Sequence, residues 1–442
     1  MKSWVVKDLW NSQNINRFYE SEEHLNRAEQ TIPLGSQTFS KSRTQYPVGI
    51  SPLYATKARG AEIWDVDGNK YVDLVSSLAS ITLGYDYPSV NRAVRKQLRY
   101  GVSLSLPAKL EAEVSELIVD MVPSAEMVRF GKNGSDATSA AVRLARAFTG
   151  RDHIIVCGYH GWQDWFIGST SRNKGVPESV SSLTHRFEFN NIESLKKILD
   201  SLNNKVAAVI MEPMNSVYPN SRFLNDVQTL THRAGALLVF DETITGFRYA
   251  KGGAQELFGV TPDLSTFGKG MANGFPLSAV VGRRDVMLQM EEIFFSGTFG
   301  GELLSLAAAK VVLESHRDEN ICEKLITTGQ NLSDRTEQAI EENGLGAILS
   351  LSGHPTWRFL NWTATEEYSV EQLKTFFMQE VFKRGILVLS THNVTLAHTP
   401  RIINRVSSAY SHAFSELNKA VCNKTLESQL EVSPLKPLFK IR

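Results

Sequence analysis

The stretch MVRFGKNGSDATSAAVRLARAFTGRDHIIVCG, Met127 to Gly158, decides the fold class. A short apolar run, MVRF, closes in Gly131. A polar Lys-Asn-Gly-Ser turn follows, an amphipathic pattern runs from Ser135 or Asp136 to Gly150, and a second apolar run, HIIVCG, begins at His153. Strand-length runs alternate with helix-period segments when parallel strands are joined by helices that cover their sheet. The alternation extends from about Leu110 to Gly300 through VAAVIM, ALLVFDE, STFG, LSAVVG and IFFSGTF, which makes seven strand-length runs. It predicts an α/β fold with a largely parallel sheet, whose functional loops lie at the carboxyl ends of the strands.

Outside this block the pattern changes. The N-terminal fifty or so residues are polar with a helical pattern, and break at IPLGSQTFSKSRTQYPVG (32–49), which reads as a long, site-lining loop. AEIWDVDGNKYVDLVS (61–76) places two alternating runs around Asp67-Gly68 and predicts a hairpin. After Gly301, helical patterns such as LLSLAAAKVVLESH and PRIINRVSSAYSHAFSEL enclose brief strand-like pieces such as ILVLS, as in a smaller α+β lobe. The expected division is an N-terminal segment 1–60 that joins the small lobe, a large domain 61–305 and a C-terminal small domain 306–442.

At 442 residues, 42% of them hydrophobic and 21% charged, the chain suits two lobes with ordinary cores. Basic and acidic side chains both number 47, so no net field favours nucleic acid or an anionic membrane, and a small neutral or zwitterionic substrate fits better. Cys157, Cys322 and Cys422 are too scattered for a metal site and too few for a disulfide framework, as expected of reduced thiols in a cytoplasmic protein. No apolar run is long enough for a membrane span, and the first twenty residues lack the apolar core of a signal peptide.

Four features carry chemistry. Gly134 and Ser135 open a helix, where unpaired N–H groups and the positive end of the dipole suit a phosphate, although Asn133 or Ser135 serving as an ordinary N-cap explains the same residues. Tyr159 and His160 in CGYHGWQDW follow a strand end, as a platform for a flat ring or as a packed aromatic loop. Asp241 ends the apolar run ALLVF, where burial of an anion demands a partner such as a protonated ring nitrogen; capping of the next turn is the plainer reading. Lys269 lies between Gly268 and Gly270 in STFGKGMANGFP, where an enclosed, desolvated amine becomes nucleophilic enough for an imine and the glycines would let the backbone approach a bound cofactor. Together these are the needs of pyridoxal 5′-phosphate: a phosphate cradle, a stacking surface, a carboxylate for the pyridine nitrogen and a lysine.

From WDVDGNKYVD through GSDATSAAVRLARAFTGR, YHGW, FDETITGFR, LFGVTPDLSTFGKGMANGFPLSAVVG and SGTFGG to LAHT, the sequence resembles the class III aminotransferases of fold type I, nearest the glutamate-1-semialdehyde 2,1-aminomutase branch. The resemblance implies a mainly parallel seven-stranded sheet and a homodimer with shared sites. It implies that Lys269 forms the imine and moves the proton, Asp241 pairs with the pyridine nitrogen, Gly134 and Ser135 hold the phosphate, Tyr159 lies against the ring, and Thr298 reaches the phosphate of the neighbouring subunit. The chain departs from the aminomutase pattern where that family has a carboxylate-binding arginine, a tryptophan and a glutamate; here Lys41 (with Arg43 close by), Leu78 and Ser390 stand there. His392 and Asn393 are expected to add hydrogen-bonding groups to the pocket. The expected activity is therefore transfer of an amino group from a donor such as glutamate to a carbonyl acceptor, sugar-derived or hydroxylated, with aminomutase and lyase chemistry as alternatives and no metal.

Overall fold

The computed structural model describes residues 17–436. Strands β1 (Ala55–Arg59), β2 (Glu62–Asp65) and β3 (Lys70–Asp73) form an antiparallel meander, with the expected hairpin turn at Asp67-Gly68. Seven strands follow: β4 (Met127–Gly131), β5 (His153–Cys157), β6 (Thr184–Arg186), β7 (Val206–Met211), β8 (Leu237–Asp241), β9 (Leu264–Phe267) and β10 (Ser278–Gly282). They form one sheet in the order β4-β10-β9-β8-β7-β5-β6. Only β10 is antiparallel to its neighbours, so the expectation of a mainly parallel sheet holds. Every residue of β7, β8, β9 and β10 is buried, as strands covered by helices on both faces require. The helix Gly134–Thr149 buries Ala137, Ala140, Ala141 and Ala145, whose small side chains let it lie close to the sheet.

Two strand readings are corrected. IFFSGTF is a loop: Phe294 and Phe299 are 80% and 58% exposed, and no strand pairs with the segment. The seventh strand is instead β6, three residues at the sheet edge in SLTHRF, too short for a periodicity to register.

In the C-terminal part, β11 (Leu349–His354), β12 (Trp357–Trp362) and β14 (Thr391–Asn393) make a second antiparallel sheet, while β13 (Ile386–Leu387) adds in parallel to β3. Long helices Ile321–Glu342, Val370–Lys383 and Pro400–Cys422 cover them. The hairpin thus shares its sheet with a C-terminal strand, and Tyr71, Val72 and Leu74 pack in one core with Phe377, Tyr410 and Phe414. The domain boundaries at 60 and 305 remain a proposed division, and the first sixteen residues of the N-terminal segment lie outside the described residues.

One segment between the two cores is strained. Ser76, Ser77, Leu78 and Ala79 have φ of 47°, 49°, 59° and 66°, four successive non-glycine residues in the left-handed region. Each costs about 1–2 kcal/mol relative to a right-handed turn. Surrounding polar groups hold the turn. The Asp73 carboxylate accepts from the N–H groups of Val75 (2.7 Å) and Ser76 (3.0 Å), Asn393 Nδ2 donates to Val75 O (2.9 Å), and Ser76 Oγ donates to Asn393 O (2.7 Å). Arg248, 1% exposed, donates to the carbonyls of Ala79 (3.0 Å) and Ile81 (3.4 Å), and also to Thr356 and Val394. Burial lowers its pKa to about 10.

Candidate active site

A cavity of about 360 Å³ opens at the carboxyl ends of the parallel strands, where an α/β sheet presents its loops. Gly134, Ser135, Tyr159, His160, Asp241 and Lys269 all line it, so residues spread over 136 sequence positions converge as expected.

The helix that begins at Gly134 is capped by Asn133, whose Oδ1 accepts from Asp136 N (3.1 Å) while the Asp136 carboxylate accepts from Asn133 N (3.0 Å). Asn133 is therefore the N-cap, and Ser135 is free of that duty. The main-chain N–H groups of Gly134 and Ser135, in the first turn, have no intrahelical carbonyl to meet, and both residues line the cavity at the positive end of the dipole. Two neighbouring loops close tightly on this turn. A Cβ at Gly161, where φ is +108°, would overlap Ser135 Oγ, and one at Gly134 would stand 3.1 Å from Thr243 Cγ2. Ser135 Oγ also accepts from Trp162 N at 3.2 Å.

Asp241 is buried at the end of β8. Its Oδ1 accepts from Thr243 N (3.1 Å), Thr243 Oγ1 (2.6 Å) and Thr266 Oγ1 (3.0 Å), and its Oδ2 lies 2.8 Å from His160 Nδ1. Burial pushes its pKa up, but the bonds from His160 and Thr243 outweigh it and hold the pKa below the ordinary carboxylate value. His160 is thus a partner of the carboxylate, and its ring lies 6.4 Å from that of Trp165 with the planes 13° apart; its Nε2 meets Cys157 O at 3.2 Å.

Lys269 lies in a short turn after β9 with φ of +41°. Asn273 ties this turn to the segment after the left-handed residues, accepting from the N–H groups of Thr82 and Leu83 (both 3.0 Å). Gly270 serves this close approach, since a Cβ there would stand 2.9 Å from Thr82 Cγ2, whereas one at Gly268 would stand 3.4 Å from Thr243 Cγ2, close to ordinary contact.

Sequence reasoning missed several lining residues. Glu212 follows the wholly apolar β7 as Asp241 ends β8, a signal that was readable; it accepts from Tyr159 N (3.0 Å) and Asn215 Nδ2 (2.8 Å). Lys132 also lines the cavity and is paired with Glu302 at 3.1 Å. Ser80 contributes from beyond the left-handed turn, which no local pattern marks.

His392 and Asn393 are not brought to this cavity. His392 is buried with Nε2 2.9 Å from Tyr410 Oη, and Asn393 pins the left-handed turn. Their place on β14 inside the C-terminal core, rather than beside an open loop, is the reason. Lys41 and Arg43 line a second cavity, of about 510 Å³, beneath the N-terminal loop. Thr298 is exposed and lines neither of these two cavities. Among the described residues no group of three or more His, Cys, Asp or Glu side chains could hold a metal.

The chemistry of this donor set fits pyridoxal 5′-phosphate. An anion-binding turn left open by glycine, a carboxylate kept ionised by three side chains, and an amine face one small cavity. The class-III aminotransferase family model matches residues 45–421. Glutamate-1-semialdehyde 2,1-aminomutases of Desulforapulum autotrophicum and Syntrophobacter fumaroxidans are 36% and 33% identical over 90% and 87% of this chain, covering 99% and 94% of those proteins. The solved structure of the FumI protein of Sphingopyxis sp. MTA144, in its PLP internal aldimine form, superposes with a TM-score of 0.86 at 28% identity, over 94% of this chain and 99% of that one. The chain belongs to the class-III aminotransferases, enzymes that use pyridoxal 5′-phosphate.

Proposed function

We propose that this enzyme moves an amino group in two half-reactions, from an amino-acid donor such as glutamate to a carbonyl acceptor. The observation that carries this reading is the convergence of Lys269 and an ionised Asp241 on one cavity with the helix start at Gly134. Bound there, the cofactor supplies an electron sink for the substrate carbon. Lys269 binds the cofactor, and its released amine carries a proton to and from the substrate carbon. Asp241 holds the proton on the ring nitrogen, and His160, Thr243 and Thr266 keep Asp241 charged for that task. The turn at Gly134 and Ser135 takes the phosphate, and Tyr159 lies against the ring.

We place the enzyme in the cytoplasm as a homodimer in which Thr298 reaches the phosphate of the neighbouring site. Exposed Leu106 (77%), Phe294 (80%) and Phe299 (58%) support such a contact. No helix among the described residues is long and apolar enough to cross a membrane. A sugar-derived acceptor loses its support with the removal of His392 and Asn393 from the cavity.

The second reading, an aminomutase acting within one molecule, is favoured by the names of the two relatives. One experiment separates them. The visible spectrum of the PLP-loaded protein is recorded before and after L-glutamate alone. Loss of the lysine-bound cofactor band, restored by a carbonyl acceptor, supports transamination. Turnover of glutamate semialdehyde with no external donor supports the aminomutase, and full turnover by Lys269→Ala would overturn both.

A further inference from the structure

Two lysines, Lys132 and Lys269, and two carboxylates, Glu212 and Asp241, line the cofactor cavity. Lys269 and Asp241 have tasks in the proposed function, and Glu212 is engaged by Tyr159 N and Asn215 Nδ2. Lys132 has no part in that scheme, yet it stands immediately before the N-cap Asn133, beside the Gly134–Ser135 helix start. Its Nζ donates to Glu302 Oε2 (3.1 Å), Pro276 O (3.1 Å) and Ser305 Oγ (3.3 Å). Asp136, the other carboxylate at this turn, accepts from the main-chain N–H groups of Lys132 (2.9 Å) and Asn133 (3.0 Å). The Lys132–Glu302 pair is largely withdrawn from solvent, with side chains 23% and 13% exposed, so its charges are weakly screened.

A phosphate ester carries roughly 1.5 to 2 negative charges near neutral pH, whereas a helix start supplies the equivalent of about half a positive one. With Lys269 committed to holding the cofactor, Lys132 is the lysine of this cavity left to balance the difference. Glu302 does not depend on it. The carboxylate caps the helix Leu303–Asp318, accepting from Leu304 N (2.7 Å), Ser305 N (3.2 Å) and Ser305 Oγ (2.6 Å). Burial pushes its pKa up, but the bonds from Ser305, Lys132 and the helix N–H groups outweigh it and hold the pKa below the ordinary carboxylate value. The three cap donors remain when Lys132 leaves, so the carboxylate is not stranded and the ammonium can change partner.

We propose that Glu302 is a built-in competitor of the cofactor's phosphate for Lys132. The ammonium turns to the phosphate when the cofactor binds and returns to Glu302 when the cofactor leaves, so the pair sets how tightly the phosphorylated cofactor is held. The inference rests on the reading that Gly134 and Ser135 take the phosphate, and deepens it by giving that site its cation and its internal rival.

The test titrates apoenzyme with pyridoxal 5′-phosphate and, separately, with pyridoxal, which lacks the phosphate, following the lysine-bound cofactor band. A thermal melt of each apoenzyme checks folding. Lys132→Gln should weaken binding of the phosphorylated form about ten-fold or more, the share of one hydrogen bond to a charged group, and change pyridoxal binding less than about two-fold. Glu302→Gln keeps an oxygen for the helix cap and frees Lys132. It should tighten the phosphorylated form about three-fold or more and leave pyridoxal unchanged. Opposite signs are the signature, since a pair that merely braces the cavity wall would weaken both forms in both variants. Weaker binding of the phosphorylated form to Glu302→Gln, equal losses for the two forms in Lys132→Gln, or no change in either variant overturns the proposal. Should Lys132→Gln fail to fold, the sign in Glu302→Gln decides. If native apoenzyme takes pyridoxal as tightly as its phosphate, the helix-start reading itself fails; if it prefers the phosphate and neither variant shifts that preference, only the role of Lys132 and Glu302 fails.

Discussion

Replacing Gly161 by alanine tests whether the loop after β5 shapes the phosphate cradle. Two penalties follow from the geometry. The residue has φ of +108°, a conformation that costs a side-chain-bearing residue about 1–3 kcal/mol. The new Cβ would also overlap Ser135 Oγ and stand 2.9 Å from Ser135 Cβ. Ordinary carbon–carbon contact is about 3.5–4.0 Å, so the helix start or the loop must retreat by roughly 0.6 Å or more. Hydrogen bonds to a charged phosphate are worth about 1.5–3 kcal/mol each, and misplacing one should weaken cofactor binding roughly ten- to hundred-fold. The assay is titration of apoenzyme with pyridoxal 5′-phosphate, followed by absorbance, with a thermal melt of the same apoenzyme. Gly150→Ala supplies the control: Gly150 also has positive φ (+66°), at the far end of the same helix, but its Cβ would meet nothing within 4 Å. That variant should lose about 1 kcal/mol of stability and keep its cofactor affinity. Equal affinity for the cofactor in folded Gly161→Ala and native protein would refute the reasoning.

Other perturbations follow from the same contacts. His160→Phe removes the partner of Asp241 Oδ2, so the carboxylate pKa should rise, turnover should fall ten-fold or more, and the acidic limb of the pH–rate profile should move to higher pH; an unmoved limb would show that His160 does not act through Asp241. Arg248→Met leaves four main-chain carbonyls without their buried donor and should cost at least about 1–3 kcal/mol, read as a lower denaturant midpoint, whereas an unchanged midpoint would mean that the left-handed turn holds without it. Burial, above all, pushes His316, His354 and His392 down to about 3 and His398 to about 4. Because their folded-state values lie below the ordinary value near 6.5, the stability they contribute is present above about pH 6.5 and is lost as pH falls, by up to about 1.4 kcal/mol per histidine per pH unit. The melting temperature should therefore be level above pH 7 and fall steeply between pH 6 and 4, and a level profile across that range would contradict their burial as neutral rings.

Much of this enzyme is legible in short windows. Runs such as VAAVIM and ALLVF announce strands buried on both faces, and Asn133-Gly134-Ser135-Asp136 announces a helix start, because strand burial and capping are settled within a few neighbouring residues. Asp241 and Lys269 were readable for the same reason: strand ends bring loops to one edge of a parallel sheet, so position along the chain predicts position in space. Glu212 obeys that rule as well. The rest depended on contacts between distant segments. IFFSGTF has the composition of a strand but pairs with none, although it lies beside the edge strand β4, where Arg129 donates to Phe295 O, while Thr184–Arg186 has little pattern and pairs with β5 all the same. His392 and Asn393 looked like pocket residues because their polarity is local, yet their partners, Tyr410 and Val75, lie 18 and 318 positions away. The four left-handed residues have no glycine to mark them and are held by Asp73, Arg248 and Asn393 from three parts of the chain. Sequence alone therefore determined six of the seven sheet strands and the cofactor, and singled out Asp241 and Lys269 as the two residues proposed to act on it. Tertiary structure decided which charges are already paired and what surrounds the substrate, since pairing and desolvation depend on side chains that meet only when the chain is folded.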